Sequence, residues 1–336
     1  MPGSLILLCR FPAKRSLESL TSLCKHSHVF NEACQGRLLL PKGNNCSFTH
    51  KQFIRGARGT KLGPHQHYES DSSLLVKHFL LTATVCGCSF TGAMIWEYEN
   101  IKKKIQAMKQ QLYFNHGVFK NHFIEVTNLV SGIVVINAVV YVLWKVPRIY
   151  PFMQRYFLCS PCKEQSVLGS FFAAFSHENF IHLFCNMYVL LSFSTVTLSM
   201  FGKEQFLGVY LSGAAVSSFV SMCNKVAWKI PTPSVGASGA ICALIGATCL
   251  TYPDSQLSIA FIDQIIPHSF SAQSGLLGLL TFDILGVVFR WRFFDHAAHL
   301  GGALFGIWYV KYGQDLIWKK REAVIKWWHN KRKSSN

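Results

Sequence analysis

The chain has 336 residues, of which 50% are hydrophobic and only 15% are charged. Soluble domains carry about 25% charged residues, so the composition favours an integral membrane protein. The formal net charge of +17 is concentrated near the two ends of the chain, and no aromatic platform accompanies these basic stretches. They are therefore predicted to meet anionic lipid head groups, and nucleic-acid binding is not expected.

Residues 1–73 are predicted to hold a mitochondrial presequence and a flexible polar linker. The start of the chain is basic, rich in Ser and Leu and poor in acidic residues, which is typical of transit peptides. A secretory signal fits less well, because the apolar stretch from Ser4 to Cys9 is short and no charged segment precedes it. A disordered tail is the other alternative.

Seven apolar segments are candidate membrane spans. The first, at about residues 78–96, is followed by a lysine-rich stretch whose apolar residues recur at helical spacing, which predicts an interfacial amphipathic helix. The other six lie at about 128–146, 179–200, 205–223, 236–251, 274–290 and 296–312. The predicted fold is therefore all-α and membrane-integral, with one extra transmembrane helix ahead of six others.

These segments divide the chain into four predicted regions. The presequence and linker (1–73) precede the extra transmembrane helix with its amphipathic connector (74–127). The six-helix core (128–313) precedes a basic C-terminal tail (314–336). Within the core, the aromatic-rich loop 147–177 and the short apolar segment 257–266 are expected to lie at the membrane interface.

A hydroxyl and an imidazole each open an apolar segment. Ser238 lies in Gly236-Ala-Ser-Gly, and His299 lies in Asp295-His-Ala-Ala-His-Leu-Gly-Gly. Polar groups in hydrocarbon need partners and often mark a working site. The pair is interpreted as a serine nucleophile and its base, with a helix-capping serine and a packed histidine as the structural alternatives.

Small residues at four-residue spacing follow both polar groups. Gly239, Ala243 and Ala247 share one helix face, and Ala298, Gly302 and Gly306 share another. Such stripes allow two helices to touch in lipid, so the two faces are predicted to meet.

Three further polar residues lie inside the apolar segments. His182 and Asn186 are four apart on one helix face, where they could donate to a developing oxyanion or form an interhelical clasp. Asp283 is interpreted as a structural hydrogen-bonding group and is kept outside the catalytic set. His296 shares a face with His299 but is expected at the water boundary.

Together these motifs resemble a known family. His182-Leu-Phe-Cys-Asn186, Gly236-Ala-Ser238-Gly and Ala298-His299-Leu-Gly-Gly, in that order, resemble the rhomboid intramembrane serine proteases. The extra helix, the presequence-like start and the stretch from Phe294 to Tyr309 are similar to the mitochondrial, presenilin-associated branch of that family. The resemblance covers roughly residues 74–325.

The resemblance implies a six-helix rhomboid core and an intramembrane endopeptidase of the mitochondrial inner membrane. It implies a Ser238–His299 dyad that hydrolyses single-pass membrane proteins without metal or other cofactor. It also implies that His182 and Asn186 help to hold the oxyanion.

Two other functions stay open at this point. A metal transporter or metalloenzyme could use Asp295, His296 and His299 together with His177 and His182. A non-catalytic scaffold of the same fold could bind client helices without cutting them. The pair Cys159 and Cys162 has metal or redox spacing, but no second pair completes a zinc site, so it is interpreted as incidental.

Overall fold

The computed structural model describes residues 72–111, 121–162, 165–258 and 269–334. The predicted presequence with nearly all of its linker lies outside these ranges, as does most of the predicted interfacial segment 257–266.

The first helix, α1, runs from Ser72 to Gln111 without a break. The sequence prediction of a span ending near Trp96 and a separate amphipathic helix was wrong at this boundary. No Gly or Pro interrupts residues 97–111, so nothing in the sequence stops the helix at the end of its apolar part. The apolar residues of the lysine-rich part, such as Ile101 and Ile105, are exposed.

Helix α2 runs from Asn121 to Leu143 and ends shortly before Pro147. A 3₁₀ turn at Pro147–Ile149 and helix α3 (Tyr150–Tyr156) follow, and the chain bends by 91° between the two parts. Pro147 explains the bend, because proline restricts the residue before it and cannot donate a helical hydrogen bond. The expected loop 147–177 also contains α4 (Gly169–Phe172) and a second 3₁₀ turn at Ala173–Phe175.

Helix α5 spans Phe180–Ala227 but holds two predicted spans. Gly202 breaks its helical geometry with φ of 75° and ψ of 167°, a conformation that favours glycine. We call the two parts α5a (residues 180–201) and α5b (residues 203–227).

The remaining elements follow in close succession. They are α6 (Ser238–Thr251), the antiparallel pair β1 (Gln256–Leu257) and β2 (Phe270–Ser271), α7 (Ala272–Val288), α8 (His296–Trp308), a π-helix (Tyr309–Trp318) and α9 (Glu322–Lys333). Apart from the two-residue strands and one isolated bridge, the described elements are helical, so the all-α prediction is confirmed.

Within the described residues, two helices, Ser73–Met108 and Phe180–Ala227, are long and apolar enough to cross a membrane by length and composition. The bent pair Leu129–Leu143 and Pro147–Tyr156 would be a third if it counts as one span. Ser238–Thr251 and Ala272–Val288 are shorter apolar helices. Because α5 is broken at Gly202, a helix lies at each of the seven predicted segments, and the count of seven crossings stays a prediction.

The helices define two ends of the bundle. At the Ser238 end, α5a, α6 and α8 begin and α5b and α7 finish. Helix α1 also begins there, since Leu74 packs with Cys159, Ala173 and Met222. At the tail end, the C-terminal part of α1 meets α9 through Arg321 and Glu97. The main core between the ends is built from buried side chains such as Phe206, Tyr210 and Leu244.

Candidate active site

The predicted nucleophile and base lie in hydrogen-bonding contact. His299 Nε2 is 2.8 Å from Ser238 Oγ, although 61 residues separate them in sequence. Ser238 is the first residue of α6, and the Ala237 N-cap makes no side-chain capping bond. The structural alternative of a helix-capping serine is therefore not what the described geometry shows.

The small-residue stripes bring the two helices together, as predicted. A Cβ added to Gly302 would collide with the carbonyl oxygen of Gly239, and one added to Gly306 would collide with that of Ala243. At both positions only glycine permits the observed backbone contact between α8 and α6. Because Gly239 follows Ser238 directly, this contact brings the start of α6 close to the helix that carries His299.

His182 lies against the turn that precedes Ser238. Gly236 has φ of 135°, which L side chains rarely adopt, and a Cβ there would lie 3.0 Å from His182 Nε2 and 3.7 Å from Ser238 Oγ. The imidazole is therefore close to the serine. Asn186 is buried on the same helix, but its Nδ2 donates to the His182 carbonyl at 2.9 Å. In this geometry the Asn186 amide stabilises the turn of α5a that carries His182.

Asp283 is buried between two histidines. Its Oδ1 lies 2.8 Å from His296 Nδ1 and 3.4 Å from His299 Nδ1. The shorter distance is a hydrogen bond, whereas the longer one exceeds the usual range. His296 is only 3% exposed, so the prediction that it lies at the water boundary was wrong. A buried imidazole needs a partner, and Asp283 supplies it.

Asp295 belongs to a buried ion pair that the sequence analysis missed. Its Oδ2 is 2.8 Å from Lys225 Nζ, and its Oδ1 accepts from Ala298 N at 3.1 Å as the N-cap of α8. Burial alone would raise the pKa of Asp295, but the Lys225 ammonium and bonds from Lys225, Ser221 and Ser234 lower it well below its usual range. The fourth predicted span stopped at residue 223, two residues before the lysine. A lysine directly after an apolar run was the signal that could have revealed it.

The histidines and carboxylates of the Ser238 end do not form a metal-binding set. Over the described ranges, no three His, Cys, Asp or Glu side chains are placed to hold a metal ion together. Neither Cys159 nor Cys162 forms a disulfide, and both are buried.

Comparison with known proteins identifies the family. A model of the Rhomboid domain matches residues 164–314, which include Ser238 and His299. The mitochondrial presenilin-associated rhomboid-like protein of Bos taurus is 39% identical over 277 residues, covering 78% of this chain and 73% of the relative. The chain belongs to the rhomboid family.

Two other rhomboid relatives extend the comparison. The presenilin-associated rhomboid-like protein of Homo sapiens is 39% identical over 271 residues, with 76% of this chain and 71% of that protein covered. Rhomboid protein 1 of Saccharomyces cerevisiae is 33% identical over 209 residues, with 62% of this chain and 58% of that protein covered. All three relatives are named mitochondrial, which confirms the predicted organelle.

Proposed function

We propose that this rhomboid is an active intramembrane serine peptidase that uses Ser238 as nucleophile and His299 as general base. The observation that carries the proposal is the 2.8 Å contact between His299 Nε2 and Ser238 Oγ. Family membership supports the class of protein. The proposed activity follows from the site and not from the fold, because proteins of one fold can be active or inactive.

The geometry supports a two-step acyl transfer. In the first step His299 accepts the Ser238 proton as Oγ attacks a peptide carbonyl, and then protonates the leaving amine. In the second step His299 accepts a proton from a water molecule that attacks the acyl-enzyme, and returns it to Ser238 Oγ as the carboxylic acid leaves. The first N–H groups of a helix have no partner within it, so the Ser238 N–H is suitably placed for the oxyanion. His182 can add a side-chain donor, because its ring lies beside Gly236. Asn186 Nδ2 has a second N–H besides the one it donates to the His182 carbonyl, and this second donor can contribute.

The proposed substrates are single-pass membrane proteins that enter beside α7. This helix buries only Ala272, Leu276, Asp283 and Gly286, and apolar residues such as Leu277 and Val288 are exposed. A helical substrate hides its carbonyls, so small or helix-destabilising residues should favour cleavage. Replacing those residues of a reporter span with leucine should slow cutting, and undiminished cutting would count against this substrate preference.

The proposed membrane is the mitochondrial inner membrane. Because α1 begins at the Ser238 end, import that leaves the segment before α1 in the matrix would put the dyad at the matrix face. An impermeant thiol reagent applied to mitoplasts carrying a cysteine in place of the exposed Arg292 would test this orientation. Labelling from the outer surface of intact mitoplasts would contradict it.

The deciding experiment is labelling by a fluorophosphonate in membranes, paired with cleavage of a single-pass reporter. Ser238→Ala should abolish both, because removing a catalytic serine costs on the order of 10⁶-fold in turnover. His299→Gln should do the same while leaving the protein in the membrane fraction. A wild-type protein that folds but is neither labelled nor active would favour the non-catalytic scaffold.

A further inference from the structure

A buried cation lies between the two polypeptide segments that carry the proposed dyad. Lys225 is 5% exposed and lies near the end of α5b. Its Nζ contacts Ser221 Oγ at 2.7 Å, Ser234 Oγ at 2.9 Å and Asp295 Oδ2 at 2.8 Å. Ser221 also donates to Asp295 Oδ2. We call these four residues the Lys225 cluster.

One arm of the Lys225 cluster reaches the His299 helix. Asp295 caps α8, and its backbone carbonyl accepts from His299 N at 3.1 Å. The same residue therefore fixes the first turn of α8 through its carboxylate and its carbonyl. Because the Lys225 ammonium holds that carboxylate in place, it fixes the position of the first turn of α8, which carries His299.

The other arm reaches the segment before Ser238. Ser234 is four residues ahead of the nucleophile and forms an isolated antiparallel bridge with Cys159, with both N–O distances at 3.0 Å. Two residues later, Gly236 N donates to Ala173 O at 2.9 Å. The ammonium adds the side-chain contact that joins this segment to α5b and α8.

The Lys225 cluster is not a second catalytic site of the serine–lysine type. A general base must be able to release its proton, whereas the Lys225 ammonium is paired with the Asp295 carboxylate at 2.8 Å. A nucleophile must also be reached by substrate, yet Ser221 is 1% exposed. The arrangement fits a fixed cation with satisfied acceptors, as buried charges require.

We propose that Lys225, through Asp295 and Ser234, is a positioning residue that sets the distance and angle between Ser238 and His299. The inference rests on the proposed function for its kinetic consequence. Its geometric consequence can be measured whether or not the protein is active.

The main test is the double variant Lys225→Met with Asp295→Asn. It removes both charges, so no unpaired ion is left buried, and the asparagine can still cap α8. Thermal stability should return towards the wild-type value from that of Lys225→Met alone. The rate of fluorophosphonate labelling should nevertheless fall about 10²-fold, because small misplacement of reacting groups has that effect. For a reporter substrate, kcat should fall and KM should stay the same.

The second readout is the ¹⁵N resonance of His299 Nε2 in histidine-labelled protein, assigned with His299→Gln. In the double variant this resonance should move towards its position in Ser238→Ala, where the hydrogen bond is lost. The matched control is Gln205→Leu with Tyr309→Phe. It removes another buried polar pair, with 2.8 Å between Gln205 Nε2 and the Tyr309 hydroxyl, in the half of the bundle nearer the tail end. The control should leave both the resonance and the labelling rate unchanged.

The outcomes separate this inference from the proposed function. A folded double variant with wild-type labelling and a wild-type His299 resonance would overturn the positioning role. If the wild type is not labelled, the proposed function fails and the His299 resonance alone decides the positioning role. If the double variant does not fold, Ser234→Ala takes its place, because it removes one acceptor and leaves the ion pair. It should lower labelling about tenfold, the effect of one ordinary hydrogen bond, and unchanged labelling would overturn the inference.

Discussion

Charge is treated differently at the two ends of the bundle. At the Ser238 end, the Lys225–Asp295 side chains are 6% and 17% exposed, and the His296–Asp283 side chains are 2% and 1% exposed. At the tail end, Arg321 and Glu97 are 33% and 22% exposed, and Arg332 and Glu99 are 44% and 22% exposed. Ionisable pairs are thus withdrawn from water at one end and left partly solvated at the other.

The difference indicates what each end must do. Burying ionisable groups costs free energy, which partners at hydrogen-bond distance offset, as the other members of the Lys225 cluster do for its ammonium. At the Ser238 end the buried groups join α5b, α8 and the segment before Ser238 through hydrogen bonds. At the tail end the pairs only attach α9 to α1, so their geometry does not have to be as exact. Its contacts, such as Trp328 Nε1 to Glu99 at 2.9 Å and Tyr98 to His329 at 2.6 Å, can be partly wet.

The largest expected effect on stability comes from breaking one partner of the buried pair. Lys225→Met should lower the free energy of unfolding by roughly 3–5 kcal/mol, because Asp295 is left buried without its cation. Chemical denaturation in mild detergent measures this difference. A loss below 1 kcal/mol would contradict the burial of Lys225 and Asp295 seen in the structure.

The same pair predicts an acid-dependent stability difference. The pKa of Asp295 is lowered in the folded protein, so its stabilising contribution is present above its unfolded pKa and is lost as pH falls through the folded pKa. The stability difference between wild type and Asp295→Asn should be constant above about pH 5 and shrink below about pH 4. A difference that grew on acidification would contradict the ion pair.

Close packing at the Ser238 end gives the next effect. Gly302→Ala should cost about 1–3 kcal/mol, because the new methyl group must push α8 away from the Gly239 carbonyl. Labelling of Ser238 should fall with it. Gly278→Ala is the matched control, because no atom outside its own helix lies within 4 Å of an added Cβ. The control should be neutral or slightly stabilising, and equal losses at both glycines would refute the helix contact.

Much of this site could be predicted from single residues and their spacing. Ser238, His299 and the small-residue stripes carry local signals, because polar groups are rare in apolar segments and a stripe of small residues accompanies each of these two. The roles of His296 and Lys225 could not be read in the same way. Each is decided by a partner distant in sequence, Asp283 for His296 and Asp295 for Lys225.

Element boundaries were misjudged for a related reason. Hydropathy drops after Trp96, but the backbone of α1 continues because helix formers follow. In α5 the division was predicted: the two spans at about 179–200 and 205–223 lie on either side of Gly202, whose conformation breaks the helix. Apolarity indicates where a membrane could be, whereas the breaks depend on backbone conformation.

A smaller effect is expected at Asp283. The 3.4 Å distance to His299 Nδ1 is longer than a good hydrogen bond, and the 2.8 Å bond goes to His296. Asp283→Asn keeps a hydrogen-bonding group of the same size. It should therefore reduce kcat by no more than about tenfold, because the bond to His296 can be kept and no short hydrogen bond to His299 is lost. A loss approaching that of Ser238→Ala would instead make the carboxylate a third member of the catalytic group.

The smallest effect is expected at the tail end. Arg321→Met removes the partner of Glu97 and the guanidinium that lies 5.6 Å from the centre of the Trp318 ring. Because both contacts are partly exposed, the free energy of unfolding should fall by only about 1 kcal/mol. The difference should shrink further in high salt, which screens partly exposed pairs. Turnover should not change, since the pair lies at the other end from Ser238. A salt-insensitive loss as large as that of Lys225→Met would show that the two ends do not differ in the way their exposures indicate.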